Sequence, residues 1–243
     1  MEWRDEGLLL AARPHGESAA ILDVFTREHG RHSGILRGGQ SRRHAPMLQP
    51  GNRLDLSWRA RLDDHMGIFT AEPLQSRGTL LDDRMALAGL NAILALVAFT
   101  LAERDPHGRL YHQTGQLLDH LSGTPGWAVL YLRWEGLLLE ELGYGLDLDC
   151  CAVTGTTEDL RYVSPRSGRA VSQAGAGAWS DRLLPLPACL RNADDDPPRA
   201  DLLDGFRTTG FFLEHRLAAD LGQSALPEAR ARLITLLSRS GEK

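Results

Sequence analysis

The sequence predicts an α+β, multidomain chain: a small β-barrel at the N-terminus, then an α-helical domain with an irregular insert. Three observations predict it. Up to about residue 78 the apolar positions alternate over short runs, and from Leu80 onward they recur at three and four, so the period changes from strand to helix once. Five short strand-like runs fall within the first 80 residues, and a flat sheet of such strands would leave its edges exposed, which favours closure into a barrel. The chain has 243 residues, of which 42% are hydrophobic and 24% charged, enough to bury a core without staples. The predicted boundaries are 1–79 for the barrel and 80–243 for the helical domain, with the insert at about 146–188.

The first strand is Gly7–Ala12, and the second, Ser18–Thr26, follows the turn "RPHGE". After "EHG", which reads as a hairpin turn, Arg31–Arg37 is the third. Asn52–Ala60 alternates cleanly, with Leu54, Leu56 and Trp58 on one face and Arg53, Asp55, Ser57 and Arg59 on the other. That pattern marks a half-buried strand and assigns Trp58 to the core rather than to base stacking. His65–Pro73 is the fifth strand. The first helix, from Leu80 to Asp105, has acids at its start, which suits the helix dipole, and is apolar nearly all round, as a central helix is. Arg109–Gly123 and Gly126–Gly145 follow, the latter with Leu130, Trp134, Leu138 and Leu142 on one stripe. Residues 147–187, rich in Gly, Ser, Thr and Pro, read as irregular, with "SPRSGRAVS" as a turn between short strands. "RNADDDPPRADLL" reads as a linker and helix start, Leu202–Leu221 as a helix, and "LPEARARLITLLSRS" as a short closing helix.

Charge is distributed unevenly. Between Arg27 and Arg61 there are eight arginines and two acids, a net of +6, so the remaining chain carries −11 of the total −5. A localised basic region is the footprint of a phosphate partner. Arginines on short strands also commonly just solvate a face, and Lys243 is the only lysine, so the preference for Arg carries little weight. The stretch "ILRGGQSRRH" concentrates the question. Gly38 and Gly39 loosen the chain, and Arg42, Arg43 and His44 arrive before Pro46, as in a flexible loop on a barrel rim. Arg37, Arg42 and Arg43 are the phosphate grip this reading selects, with Arg27, Arg31, Arg53 and Arg59 extending the track and His44 a minor contributor. Aromatics are scarce there, so binding would be electrostatic and indifferent to sequence.

Several classes are disfavoured. There is no P-loop, no Gly-x-Gly-x-x-Gly, no His-Glu-x-x-His and no nucleophile elbow around Ser18, so an enzyme is not expected. Asp63, Asp64 and His65 are adjacent and read as a turn, not as a converging site. The three cysteines, Cys150, Cys151 and Cys189, do not make a disulfide framework. Cys150 and Cys151 are adjacent and Cys189 has no near partner, so a zinc site is not expected; with no nucleotide- or metal-binding motif, no other cofactor is expected either. The apolar runs at Gly7–Ala12 and Leu90–Leu101 are too short for a signal peptide core or a membrane span, which points to a cytoplasmic protein without membrane partners.

Taken in order, "GLLLAARPHGESAAILDVFTREHGRHSGILRGG", "MLQPGNRLDL", "LRWEGLLLEELGYGLDLDCCAVTG", "YVSPRSGRAVS" and "RLLPLP" resemble the RecO family of bacterial DNA repair and recombination mediators over most of the chain. The resemblance implies an oligonucleotide-binding (OB) barrel and a nucleoid-associated DNA repair and recombination mediator. Such a protein would bind single- and double-stranded DNA, anneal complementary strands and bind the acidic C-terminal tail of single-stranded DNA-binding protein (SSB). It would act with RecR and help, indirectly, to load RecA. Arg133 in "LRWE" matches the helix-borne arginine expected to meet the SSB tail, with Leu130 and Trp134 beside it; surface pairing with Glu135 or Glu140 is the alternative. Many relatives carry two Cys-x-x-Cys pairs in the insert. Here Thr154 follows Cys151 at the second position and the later pair is missing around Val171–Ala174, so zinc is not carried over. The insert is then expected to hold by packing, with Tyr162, Val163 and Trp179 as candidates. A protein-interaction scaffold that does not touch DNA is the competing reading.

Overall fold

The computed structural model describes residues 1–62, 65–191 and 194–239; the turn expected at Asp63 and Asp64 and part of the linker before the fifth helix lie outside them. By packing, the chain divides into two units: Met1–Gly123 with Pro227–Arg230, and Thr124–Leu226 with the rest of the C-terminus.

In the first unit five strands close on themselves in the order β1-β2-β3-β5-β4. They are β1 (Glu2–His15), β2 (Ala19–Thr26), β3 (Gly30–Leu36), β4 (Arg53–Arg59) and β5 (Ile68–Gln75). The first strand is twice the length its apolar run suggested, because it serves two neighbours. Its first half pairs with β4, from Glu2 opposite Arg59 to Leu8 opposite Arg53, and its second half pairs with β2, from Gly7 opposite Thr26 to His15 opposite Ala19. A bulge between Leu9 and Ala11 supplies the bend, as an extra residue in one strand sharpens its twist. Gly7 sits at the crossover, where an added Cβ would stand 2.6 Å from Leu56. The ring closes through a narrow parallel seam, with Ile35 opposite Ile68 and Leu36 opposite Phe69.

The alternation read in the sequence is the inside–outside pattern of the barrel. Leu9, Leu22, Val24, Leu36, Leu54, Leu56, Trp58 and Phe69 fill the interior. Trp58 is fully buried and donates its indole N–H to the Met66 carbonyl at 3.0 Å. Gly67 makes that contact possible: it turns at φ +66, and a Cβ there would stand 2.3 Å from the indole nitrogen.

Two helices pack with the barrel, so this unit exceeds the 1–79 span. They are α1 (Arg84–Thr100) and α2 (Gly108–His120). Asp83, not the leucines before it, begins α1, accepting the amides of Met85 and Ala86 at 2.7 and 3.1 Å. The helix stops at Thr100 rather than reaching Asp105. Beyond it the chain turns along β3, with the Arg104 amide on the Arg31 carbonyl at 2.7 Å and Arg104 itself at φ +65, and Pro106 disfavours helix at the residue before it. The buried Arg77 guanidinium ties α2 to the barrel: it donates to the Gly51 carbonyl at 2.6 Å, the Gly115 carbonyl at 3.4 Å and the Asp119 carboxylate at 2.7 Å.

The second unit packs α3 (Trp127–Glu141) against α5 (Arg199–Phe212), which continues as a π-helical turn over Leu213–Ala218. An added Cβ on Gly205 would stand 2.5 Å from Leu132, so that glycine sets how closely the two helices approach. The last helix, α6, spans Glu228–Arg239. The insert is more regular than its composition suggested, and the turn read at "SPRSGRAVS" does join two short antiparallel strands. It forms a three-stranded sheet in the order β7-β6-β8, from β6 (Leu160–Val163), β7 (Ala170–Ser172) and β8 (Leu184–Pro185), with a one-turn helix α4 (Gln173–Ala176). Val163 is in its core as expected and Tyr162 donates its hydroxyl to Gln173 at 3.0 Å, but Trp179 is 61% exposed and meets the Arg182 guanidinium 4.7 Å above its ring rather than the core. Among the described residues no helix is long and apolar enough to cross a membrane.

Candidate nucleic-acid interface

A cleft of about 570 Å³ opens beside the narrow β3–β5 seam. Its floor is apolar, with Leu36, Trp58, Phe69 and Ala71; its sides carry Ser57 and Thr70, with Ile68 partly exposed; its edge carries Arg37, His44, Arg59 and Glu2. Phe69 reaches the floor because Gly34 faces it without a side chain: a Cβ there would stand 2.6 Å from the ring.

The loop from Arg37 to Asn52 walls one side. It is not the flexible loop its glycines suggested. Gly38 supplies a turn at φ +68, and Gly39 lies against Ala20, where a Cβ would stand 2.7 Å from that residue's own. Gln40 anchors the loop by donating to the carbonyls of Gly16 and Ala19 at 3.0 and 2.8 Å. Met47 plugs into the barrel core. Asn52 closes the far end, donating to the carbonyls of Pro46 and Met47 at 3.0 Å each and accepting the Arg77 amide at 2.8 Å. His44 Nδ1 lies 2.9 Å from the Gly38 carbonyl, which only accepts, so this nitrogen carries the proton and Nε2 is the acceptor of the neutral ring.

The anchor through Gln40 brings the loop beside the β1–β2 turn, so residues 13–18 and 37–51 share one rim. That rim carries Arg13, Arg37, Arg42 and Arg43 against Glu17, a net of +3. All four arginines are exposed, and none has an ion-pair partner among the described residues. Arg13 was not singled out from the sequence because it precedes the arginine-rich window; the signal was its place in the "RPHGE" turn.

The other arginines expected on the track are placed differently. Arg31 is committed to Asp23, with bonds of 2.8–3.2 Å, and also donates to the Leu101 carbonyl at 3.3 Å; the carboxylate bond raises its pKa. Arg53 and Arg59 lie in a ladder of cross-strand ion pairs on the outer face of β1 and β4. Glu2 takes Arg59 with two bonds of 2.9 Å, Asp55 takes Arg4, and Glu6 approaches Arg53 at 3.7 Å. Exposed pairs like these add little stability, but they neutralise the face. Arg27 is exposed and has no ion-pair partner among the described residues, yet it sits in the β2–β3 turn, at the other end of β3 from Arg37. Six strand steps at 3.3 Å put roughly 20 Å between them. Of the seven residues expected to grip phosphate, Arg37, Arg42, Arg43 and Arg59 are brought to one end of the barrel and Arg27, Arg31 and Arg53 are not.

In the second unit Arg133 lies on α3 with its guanidinium occupied. It donates to Asp195 Oδ1 at 2.6 Å, to the Asp194 carbonyl at 2.8 Å and to the Cys189 carbonyl at 3.3 Å. Its ion-pair partner is therefore the acidic segment before α5, not a neighbour on its own helix. Leu130 is half-buried, and Trp134, stacked on Tyr131 at 5.9 Å, is inside the unit, where it cannot meet a partner. The three cysteines are free thiols. In the insert Cys151 is grouped with the hydroxyls of Thr154 and Ser172 and with no second thiol, a donor set that does not fit zinc. Among the described residues no group of three or more His, Cys, Asp or Glu is placed to hold a metal ion.

Comparison with known proteins bears on both units. Residues 1–77 match the family model for the N-terminal domain of recombination protein O, and residues 81–225 the model for its C-terminal domain. The chain is 57% identical over 242 residues to the DNA repair protein RecO of Ruegeria sp. (strain TM1040), covering 98% of this chain and 99% of that protein. It is 58% identical over 241 residues to the protein of the same name from Cereibacter sphaeroides (strain ATCC 17029 / ATH 2.4.9), covering 99% and 100%. The relative from Roseobacter denitrificans, also named DNA repair protein RecO, is 58% identical over 240 residues, covering 98% and 99%. With a β-barrel followed by a helical unit, both domain models matched in order and near-complete coverage of these relatives, the chain belongs to the recombination protein O family.

Proposed function

We propose that this protein is a non-catalytic DNA repair and recombination mediator that grips single-stranded DNA at the basic rim of its barrel. The observation that carries the reading is selective: Arg13, Arg37, Arg42 and Arg43 share one rim with no ion-pair partner among the described residues, Arg37 reaching the cleft edge, while the outer face of β1 and β4 is neutralised by its own carboxylates. Arginine forks on an anchored loop take phosphates without the loop backbone first being ordered. The apolar floor with Ile68 at its edge suits an unstacked base, and the arginines suit the backbone, single- or double-stranded. Annealing then needs no bond chemistry. Neutralising the phosphates of two strands lowers their repulsion and raises their encounter rate.

Family membership supports the remaining parts: the SSB tail as partner, action with RecR, and indirect loading of RecA on SSB-coated DNA in the bacterial cytoplasm. For the tail, Arg133 is the basic anchor, and an incoming carboxylate exchanges with Asp195, which is almost wholly exposed. Trp134 takes no part. The test is fluorescence anisotropy of a labelled oligothymidylate with the full chain, beside an annealing assay. Arg37→Ala/Arg42→Ala/Arg43→Ala should lose binding and annealing together while melting as the parent does. Undiminished binding by that variant would move the DNA site away from the rim and favour a scaffold role.

A further inference from the structure

The insert holds a second convergence of chemistry-bearing residues, independent of the DNA reading. The Cys151 sulfur is buried at the meeting of two tight turns. From its own turn it accepts the amides of Val153 and Thr154, both at 3.4 Å. From the other turn it accepts the Ser172 amide at 3.2 Å and the Ser172 hydroxyl at 3.3 Å. The second turn repeats the device: the Gly175 amide donates to Ser172 Oγ at 3.1 Å. The Thr154 hydroxyl lies 3.4 Å from Ser172 Oγ. A Cβ on Gly175 would stand 2.9 Å from the Cys151 sulfur and 3.1 Å from Ser172 Oγ.

Positions 151, 154, 172 and 175 thus aim at one point, as two pairs each three residues apart. That spacing is the one by which paired turns present four ligands to a tetrahedral ion. We infer that these four positions are the corners of a metal knuckle that this chain closes without metal, with the Cys151 sulfur as the acceptor at the hub of a hydrogen-bond cluster standing where an ion would.

The chemistry agrees corner by corner. One corner has a thiol, two have hydroxyls, and Gly175 has no side chain. Two sulfurs sharing a tetrahedral zinc at about 2.3 Å stand about 3.8 Å apart. Here the sulfur and the Ser172 oxygen are 3.3 Å apart, so the corners have closed in on each other. The hub also sits where the sheet needs holding, since the neighbouring Ala152 amide bonds the Ala170 carbonyl of β7 at 2.8 Å.

The experiment uses the full chain. After dialysis against zinc the parent should retain less than a tenth of an equivalent, and its melting temperature should be the same with and without EDTA. Ser172→Ala, which removes the hydroxyl from the hub, should melt several degrees lower. Thr154→Cys/Ser172→Cys/Gly175→Cys should bind one equivalent of Co²⁺ with a thiolate-to-cobalt band in the near ultraviolet, and should melt higher with zinc than without. Thr154→Cys/Ser172→Cys, which leaves Gly175 and its crowded surroundings alone, should give a three-thiolate version of the band. Stoichiometric zinc in the parent, or a melting temperature that EDTA lowers, overturns metal-free closure. An unchanged melting temperature for Ser172→Ala overturns the hub. Absence of a thiolate–cobalt band in both cysteine variants, including failure of both to fold with zinc present, overturns the four-corner assignment.

Discussion

Glu2→Gln tests how the barrel divides its arginines into free and occupied. In the parent, Arg13, Arg37, Arg42 and Arg43 are free on the rim, and Arg59 at the cleft edge is held by both oxygens of Glu2. Each arginine that takes a phosphate of a single strand adds about −0.7 to the slope of log Kobs against log salt, so four contacts give about −2.8 and a fifth about −3.5. Between 50 and 200 mM salt the parent should therefore lose affinity about 50-fold, and Glu2→Gln, with Arg59 released, about 130-fold. At the lower salt the variant should bind tighter than the parent. The triple Arg37/Arg42/Arg43→Ala variant keeps only Arg13, and its slope should fall to about −0.7, a roughly threefold loss over the same range. Arg31→Ala and Arg53→Ala should leave the slope at the parent's value, because Asp23 and Glu6 already claim those side chains. The assay is anisotropy of a labelled oligothymidylate at four or five salt concentrations. The reasoning is refuted if Arg31→Ala lowers the slope as much as Arg37→Ala does, or if Glu2→Gln leaves both affinity and slope untouched.

Three further outcomes are expected. Arg77→Met should cost about 2–4 kcal/mol in urea unfolding, because the carbonyls of Gly51 and Gly115 lose a buried donor, although Asp119, half in water, keeps other partners; a loss under 1 kcal/mol would mean that α2 stays docked without it. His32 is buried among Trp3, Trp58 and Phe69 with no well-formed hydrogen bond to either ring nitrogen among the described residues, and burial lowers its pKa, with Arg104 adding to the fall and Glu103 and the His29 backbone opposing it. Its unfolded form therefore takes a proton first. The neutral ring's contribution is complete above about pH 6.5 and is lost as pH falls from there toward the folded-state pKa, by at most about 1.4 kcal/mol per pH unit. His32→Leu should flatten that part of the stability curve, and parallel curves for parent and variant between pH 7.5 and 5.5 would count against it. Asp195→Asn should strengthen binding of an acidic, apolar-ended peptide by at most about fivefold, the worth of one exposed ion pair, and Arg133→Ala should abolish it; calorimetric titration that finds Asp195→Asn weaker than the parent would place the tail elsewhere.

Much of the fold was legible because it rests on local patterns. The alternation of Leu54, Leu56 and Trp58 names the inner face of β4 without any neighbour being known, and the change of period near Leu80 marks where the helices begin. The extent of β1 was not legible. Its first half, "EWRDE", is polar, and it is a strand only because β4 runs beside it and supplies partners for its amides and for its charges. The end of α1 was misplaced for a similar reason: the sequence stays apolar past Thr100, but the free edge of β3 takes the backbone that the helix would have used. The glycines of "RGGQ" read as slack and prove to be tight corners, because Gly38 turns at φ +68 and Gly39 packs against the Ala20 side chain and amide.

The sequence by itself determined that this protein has a barrel, a helical unit and an excess of arginine between residues 27 and 61. Periodicity and composition are properties of the chain alone. Only the tertiary structure decided which arginines are available, because that depends on carboxylates distant in the chain. Glu2 reaches Arg59 across 57 positions and Asp55 reaches Arg4 across 51, while nothing among the described residues reaches Arg42 or Arg43. A charge is free or spent according to what stands within about 4 Å of it, and in a closed barrel that neighbour comes from another strand.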